Sequence, residues 1–268
     1  MTRGSSPDDT VLSDASKIFT PEYYDELRRL EAGAWWNAGM RAIASKLLDA
    51  ARLPRRGRVL DAGCGSGQTM AWLKQAFPEW EMTGIDVSHD AALAAASLGE
   101  SVAVASVTDL PFAEKSFGLL VSLDVLQHLP LNGGDAVTLA EFQRVLEPGG
   151  ILLIRTNSQS FPRVADDALN MYRRYDPEPL RLLLTNAGFD VLRLSRANSL
   201  LGLAEIPREL RARKDAGKSG YYGLLSKPRR PSPVDAVKRE ILRLEGSIIA
   251  RGAALPFGRT LFALCRAI

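Results

Sequence analysis

Two carboxylates and a glycine-rich turn carry the chemical signal of this 268-residue chain. The apolar pair Val59 and Leu60 runs into Asp61 and then turns through Gly63, Cys64, Gly65, Ser66 and Gly67, while a second apolar strand, expected over 81–86, closes on Asp86 nineteen residues after the last of these glycines. Glycine at 63 and 65 lets the backbone turn tightly and approach a ligand with no Cβ in the way, and Gly67 lets the following helix start close against a sheet. An acidic residue at the tip of the next strand is placed to accept hydrogen bonds from a ribose diol. A dinucleotide fingerprint would read Gly-x-Gly-x-x-Gly, whereas these glycines stand at 63, 65 and 67 behind Asp61. A carboxylate at that place repels a pyrophosphate and suits a cationic amino group. A ribonucleoside that carries an ammonium in place of phosphates is S-adenosylmethionine. Either motif alone would also fit a tight strand-to-helix turn with an incidental Asp at a strand end.

Three further motifs follow in order: Leu110-Pro111-Phe112, the run from Ser122 through Leu123, Asp124 and Val125 to His128 and Leu129, and the run from Glu141 through Arg144 to Pro148-Gly149-Gly150. With residues 59–67 and 84–88 they resemble the class I S-adenosylmethionine-dependent methyltransferases, in particular the small-molecule branch of the methyltransferase type 11 kind, over about 23–197. The resemblance implies an α/β fold: a Rossmann-like, doubly wound sheet of seven strands with N-terminal helices and a helical insert before the last strand. It implies S-adenosylmethionine as donor and S-adenosylhomocysteine as product. It further implies that Asp61 and the loop of Gly63, Cys64 and Gly65, closed by Gly67, hold the methionine portion, that Asp86 takes the ribose hydroxyls and that Val87 covers one face of the adenine. Ser106 and Val107 would border the adenine edge, and Leu123 and Asp124 would line the floor beneath the sulfonium. The family usually has an acidic residue where Ser106 stands; a hydroxyl accepts more weakly, which bears on affinity rather than on cofactor identity.

Ahead of the first strand, Trp35, Trp36 and Arg41 resemble part of a His-Trp-Trp-Phe-Arg-Gly-Arg-Arg segment in a subgroup of these enzymes, several of them found beside glycan or natural-product biosynthesis. Ala38 and Met40 replace two of its arginines. Trp36 and Arg41 are read as covering the cofactor, the Arg reaching its carboxylate; an amphipathic helix whose tryptophans pack on the sheet fits equally. Displacement at a sulfonium methyl needs alignment and exclusion of water, with a base only for a hydroxyl or protonated amine. His128 is the candidate catalytic base, four residues beyond Asp124, because a histidine titrates near neutral pH; a structural role is the other reading. His89 reads as surface or capping. Asn157 and the cluster Tyr172, Arg173, Arg174 and Tyr175 are further pocket candidates, the arginines binding an anionic acceptor or packing a helix end.

To position these residues, strands are expected over 58–61, 81–86, 102–106, 117–124, 151–157, 189–197 and near 261–267, with helices over 67–77, 88–98, 133–146 and 178–187. Such alternation means a parallel sheet covered by helices on both faces, with Gly149-Gly150 and Gly188 stopping helices. Ligands bind outside the strand C-termini of such sheets, where Asp61, Asp86, Ser106 and Asp124 all fall. Residues 1–16 are expected to be disordered, 17–197 with 257–268 to form the cofactor-binding domain, and 198–256 to form a helical, basic insert able to lie over the acceptor site. Between Glu205 and Glu245 stand eleven Arg or Lys against six Asp or Glu, although the whole chain carries only +3. Val234 to Ile249 reads as a helix with apolar positions at 234, 237, 241, 244 and 248. A nucleic-acid partner is the weaker reading of that charge, because aromatic interleaving is missing.

A composition 46% hydrophobic suffices for one large α/β core with an appendage. The chain shows no 18-residue apolar run and no signal-peptide pattern, so a cytoplasmic protein is expected. Cys64 and Cys265 can form neither a disulfide framework nor a metal cluster, and no metal is expected. The expected function is methyl transfer from S-adenosylmethionine to an O or N of a small molecule, a glycan or secondary-metabolite intermediate among the candidates; the alternative is a cofactor-binding relative or partner subunit that does not methylate. Oligomeric state stays open.

Overall fold

The computed structural model describes residues 35–99, 101–159, 173–203 and 232–268. The expected disordered stretch 1–16, Tyr172 and residues 204–231 of the basic insert lie outside the described residues. Within them, β1 (Arg58–Ala62), β2 (Glu81–Asp86), β3 (Ser101–Val104), β4 (Phe117–Leu123), β5 (Leu146–Asn157), β6 (Phe189–Ala197) and β7 (Thr260–Ala267) form one sheet. Their order is β3-β2-β1-β4-β5-β7-β6. Helices α1 (Trp35–Ala51), α2 (Gln68–Ala76), α3 (His89–Ala96), α4 (Gly134–Val145), α5 (Pro177–Asn186) and α6 (Pro233–Ala250) pack on its two faces.

Successive residues of the central strands enter opposite layers. Val59, Leu119, Val121, Leu153, Phe262 and Leu264 join α1, α2 and α6, while Leu60, Leu120, Leu152, Ile154, Ala263 and Cys265 join α4 and α5. Burial on both faces is why these strands read as continuous apolar runs rather than as alternating ones. Each large apolar side chain so buried contributes about 1.5–3 kcal/mol.

The sheet is mixed, which corrects the wholly parallel expectation. Strands β1 to β5 run parallel, but β7 lies antiparallel between β5 and β6. The chain leaves the C-terminal edge at Ala197 and returns to the same edge, where Ser158 N donates to Arg259 O at 2.9 Å. The strand that starts there must run backwards. Two local readings also change. Gly149, at φ +79, lies inside β5 rather than capping a helix, because α4 ends at Val145. Strand β3 stops at Val104, so Ser106 lies in the turn beyond it.

Helix α6 forms where its spacing predicts, with a capping box between Ser232 and Asp235, but it is rotated from the expected stripe. Val234, Val237, Leu244 and Ile248 are exposed, and Leu242, Glu245, Gly246 and Ile249 face inward. Two contacts decide the rotation. Buried Glu245 accepts from Ser199 N and Leu200 N at 3.1 and 3.2 Å, satisfying the orphan donors at the start of the helical turn 199–203. Gly246 meets α1 so closely that a Cβ there would stand 2.8 Å from Ile43 Cα. Gly246→Ala is therefore expected to cost about 1–3 kcal/mol through overpacking despite its better helix propensity. Gly202→Ala, in the helical turn 199–203 and meeting nothing closer than 3.5 Å, is the control in thermal unfolding; equal losses would show that the α1–α6 approach is not what limits residue 246.

Candidate active site

The β1 exit is held by main-chain bonds before any side chain acts. Gly63 N and Cys64 N both donate to Ile85 O, at 2.9 and 2.8 Å, and Gly67 N donates to Cys64 O at 2.9 Å. Asp86 completes the cradle: Oδ2 accepts from Gly65 N and Oδ1 from Ser88 N, each at 2.9 Å. Gly63, Gly65 and Gly67 adopt φ of +88, +52 and +81. Their surroundings differ. A Cβ at Gly63 would meet Val125 Cγ2 at 2.3 Å and one at Gly67 would meet Ala95 Cα at 2.9 Å, whereas at Gly65 nothing lies within 4 Å. Gly63 and Gly67 are required by the protein's own packing; Gly65 borders open space.

Asp61 is 2% exposed, and its Oδ2 has no hydrogen-bond partner among the described residues. Burial first, and the charge of Asp86 second, push its pKa up to about 8. The same two influences, burial and then the Asp61 and Asp86 charges, push the Cys64 thiol up, so Cys64 stays an unreactive thiol. A buried carboxyl with an orphaned oxygen fits a cation that would come to it. Beyond the Asp86 carboxylate, Val87 is 77% exposed at the β2 tip, an apolar surface with room for a flat ring. Val107 is buried and Ser106 half-buried. The Ser106 hydroxyl is engaged with Thr108, accepting from its N–H at 3.2 Å and sharing a 2.7 Å bond with its hydroxyl.

At the β4 exit Leu123 is half-buried and Asp124 takes φ +61. Its carboxylate binds Arg155 of β5, which donates from Nε at 3.1 Å to both oxygens and from Nη2 to Oδ2. The Arg155 guanidinium lies 5.0 Å from the centroid of the Trp36 ring. Sequence patterns singled out Trp36 and Asp124 but missed Arg155; the one available sign was a charge interrupting the apolar run of β5. Arg41 lies half-buried on α1.

His128 ends the single 3-10 turn Leu126–His128. The residue as a whole is exposed. The protein crowded around it lowers its pKa, and the charges of Asp124 and Asp86 offset part of that shift. The turn is pinned from behind. Thr156 Oγ1 donates to Gln127 Oε1 at 3.0 Å, Arg173 N donates to Gln127 O at 3.0 Å and Tyr175 OH donates to Leu126 O at 3.2 Å. The Arg173 guanidinium pairs with Asp135 and donates to Pro130 O at 3.0 Å. Arg173 and Tyr175 thus brace the turn, the packing alternative for that cluster, and burial pushes the Tyr175 hydroxyl up to about 12. His89 is exposed beside Asp90, and Ser88 is the residue that caps α3. A cavity of about 180 Å³ between Glu114, Arg144, Pro148 and Ile268 lies at the opposite, N-terminal strand edge. No group of three or more metal-ligating side chains converges among the described residues, and no described helix is long and apolar enough to cross a membrane.

Residues 60–154 match the family model of the methyltransferase domain. A protein of Encephalitozoon cuniculi named "putative methyltransferase" is 30% identical over 162 residues, 52% of this chain and 72% of that one. The tRNA (carboxymethyluridine(34)-5-O)-methyltransferase of Arabidopsis thaliana is 33% identical over 102 residues, 38% of this chain but 24% of that one. Others, 28–34% identical, are named malonyl-[acyl-carrier protein] O-methyltransferases and ubiquinone/menaquinone C-methyltransferases. Of these relatives' own lengths the chain spans less than two thirds, the Encephalitozoon protein excepted. Among solved structures, a protein of Galdieria sulphuraria titled a "putative sarcosine dimethylglycine methyltransferase" superposes with TM-score 0.56 at 19% identity, covering 84% of this chain and 83% of that one. Phosphoethanolamine N-methyltransferase 2 of Haemonchus contortus, in complex with S-adenosyl-L-methionine, gives 0.56 at 18% identity over 87% and 52%. The [4+2]-cyclase SpnF gives 0.51 at 21% identity over 79% and 74%.

The glycine geometry sets an order of stabilities. Gly63→Ala is expected to lose several degrees of Tm, having both a clash and a positive φ. Gly65→Ala faces left-handed strain alone, about 1–2 kcal/mol or roughly 2–8 °C. Scanning calorimetry without ligand checks this, and a larger loss at 65 than at 63 would contradict it.

Proposed function

This chain belongs to the class I S-adenosylmethionine-dependent methyltransferases, and on that premise we propose that it transfers the methyl group to an oxygen or nitrogen of a small molecule, a glycan or secondary-metabolite intermediate being the candidate acceptor class. The orphaned, buried oxygen of Asp61 carries the donor half of this reading. Asp61 takes the ammonium of the methionine portion, with the loop of Gly63, Cys64, Gly65 and Gly67 around it. The two Asp86 oxygens already accept from Gly65 N and Ser88 N; a carboxylate has about four acceptor sites, so capacity remains for two ribose hydroxyls. Val87 covers the adenine face, with Ser106 and Val107 along its edge. Because the Ser106 hydroxyl already bonds Thr108, its hold on the adenine amino group is shared and weak.

When bound, S-adenosylmethionine supplies a methyl already activated on a sulfonium. What remains for the protein is alignment and exclusion of water. Leu123 and Asp124 form the floor, and Trp36 and Arg41 of α1 cover the site. His128 accepts the acceptor's proton where one must leave; burial lowers its pKa, which keeps the imidazole neutral and able to accept. The pinned turn behind it holds the ring in place. Relatives named for C-methyl, O-methyl and tRNA substrates mark the other acceptors to be tested. A second reading, cofactor binding without methyl transfer, is favoured by one observation, the fold shared with a protein titled a [4+2]-cyclase.

Incubation with methyl-labelled donor and a panel of small hydroxyl and amine acceptors, alongside bulk tRNA, decides among these. Label on a small O or N acceptor is expected. Label on tRNA alone would sink the small-molecule reading, and donor binding with no transfer to any acceptor would favour the second.

Asp61 gives a separate prediction. With its pKa raised to about 8 when the site is free, the group is protonated at pH 7 and must lose that proton to pair with an ammonium. Donor binding near pH 7 is therefore expected to release up to one proton, and affinity to rise with pH toward about 8, above which loss of the donor's own ammonium proton lowers it again. Calorimetry in buffers of different ionisation enthalpy reads the proton directly; no release at pH 7, or release unchanged in Asp61→Asn, would remove Asp61 from the ammonium site.

A further inference from the structure

We propose that Arg155 is a positioning residue for the donor: paired with Asp124 and stacked on Trp36, it keeps the carboxylate at the β4 exit charge-balanced where the sulfonium is seated. The proposal rests on the donor reading above. Three carboxylates, Asp61, Asp86 and Asp124, stand at the C-terminal ends of β1, β2 and β4, and β1 lies between β2 and β4 in the sheet. Ribose at Asp86 and ammonium at Asp61 place the sulfonium, which joins the ribose to the amino-acid chain, over the β1–β4 boundary. The β4 exit reaches that boundary, because Val125, next to Asp124, packs where a Cβ of Gly63 would be.

Arg155 backs this carboxylate from the interior. Its side chain is 11% exposed against 33% for Asp124, so the carboxylate faces the site and the guanidinium lies behind it. The hold is made at three points. Asp124 N donates to Arg155 O at 2.8 Å, the side chains pair through two guanidinium nitrogens, and the outer face of the guanidinium rests on Trp36. A planar fork on an aromatic face loses little freedom in such a pair. The backbone of Asp124, at φ +61, is one that Asp tolerates better than most residues.

The chemistry gives the pair its use. The sulfonium loses its positive charge as the methyl leaves, so an unbalanced carboxylate beside it holds the ground state more strongly than the transition state and slows transfer. A carboxylate already shared with a guanidinium orients hydrogen bonds at the floor without that penalty. Asp124 thus shapes the floor while Arg155 takes up its charge.

The readout needs no acceptor: the preference of the site for cationic S-adenosylmethionine over neutral S-adenosylhomocysteine, as the ratio of two calorimetric Kd values. Arg155→Met unmasks Asp124 and is expected to shift the ratio toward S-adenosylmethionine by about tenfold. Arg155→Lys keeps the charge and is expected to leave the ratio within about twofold, while Asp124→Asn leaves Arg155 uncompensated and shifts it toward S-adenosylhomocysteine. A structural role alone would weaken both ligands together. The proposal is overturned if both ligands bind Arg155→Met with the wild-type ratio; should that variant not fold, an unmoved ratio in Asp124→Asn overturns it equally. Failure of the wild-type protein to bind either ligand would instead refute the donor reading.

Discussion

The loop after β1 depends on one carboxylate that serves the protein's own backbone. Asp86 accepts from Gly65 N and Ser88 N, both at 2.9 Å, and so ties the loop after β1 to the start of α3. Three consecutive odd-numbered glycines with positive φ would otherwise leave that loop with many conformations. With Asp86 and the two bonds to Ile85 O in place, the loop presents its open side at Gly65 and its packed sides at Gly63 and Gly67. A charged acceptor makes stronger bonds to main-chain N–H groups than a neutral one, which is the physical case for an acid at this strand end even without a ribose to bind.

Burial then sets the electrostatics. Asp61, Cys64 and Asp86 lie close enough that each of the first two feels the charge of the third, and for both burial is the larger cause. A protein gains no stability from a carboxyl with an unpartnered oxygen in its interior. Its presence at the switch between β1 and β4, where doubly wound sheets take their ligands, marks the place where folding has left an interaction for something else to complete. The opposite, N-terminal strand edge has a cavity, but no unmet polar atom lines it among the described residues.

The rim beyond β4, β5 and β6 is organised differently. There the charges are matched within the protein: Arg155 with Asp124, Arg173 with Asp135 and Arg196 with Asp176. Arg155 ties the end of β5 to the residue after β4, Arg173 ties the segment after β5 to the start of α4, and Arg196 ties the end of β6 to the segment after β5, so this rim is cross-braced rather than a row of independent side chains. Ion pairs of this half-buried kind add little net stability; what they supply is geometry, holding the turn of His128 and the floor at Asp124 in single arrangements. The rotation of α6 belongs to the same economy of contacts, since Glu245 turns inward to cap the turn after Asn198 and its apolar neighbours turn outward.

Local rules made the donor side legible. The glycine turn, the acid at the β2 tip and the apolar runs each require a few adjacent residues, and steric freedom, strand burial and helix caps are properties of short stretches. Boundaries suffered where two local rules competed, as at Pro148-Gly149-Gly150, which reads as a helix stop but lies within β5. The facing of α6 was hidden because a 3.6-residue period names two adjacent stripes, and only the tertiary contacts of Glu245 with Ser199 and of Gly246 with Ile43 choose between them. By itself, then, the sequence determined the sheet, its ligand-bearing edge and the chemistry of the donor. Which charges meet at that edge was decided by tertiary structure alone, because the pairing of Asp124 with Arg155 rests on the register that sets Leu123 beside Arg155, and the stacking on an α1 that brings Trp36 against Arg155. Such neighbours are 31 residues apart or more, and no local pattern carries their meeting.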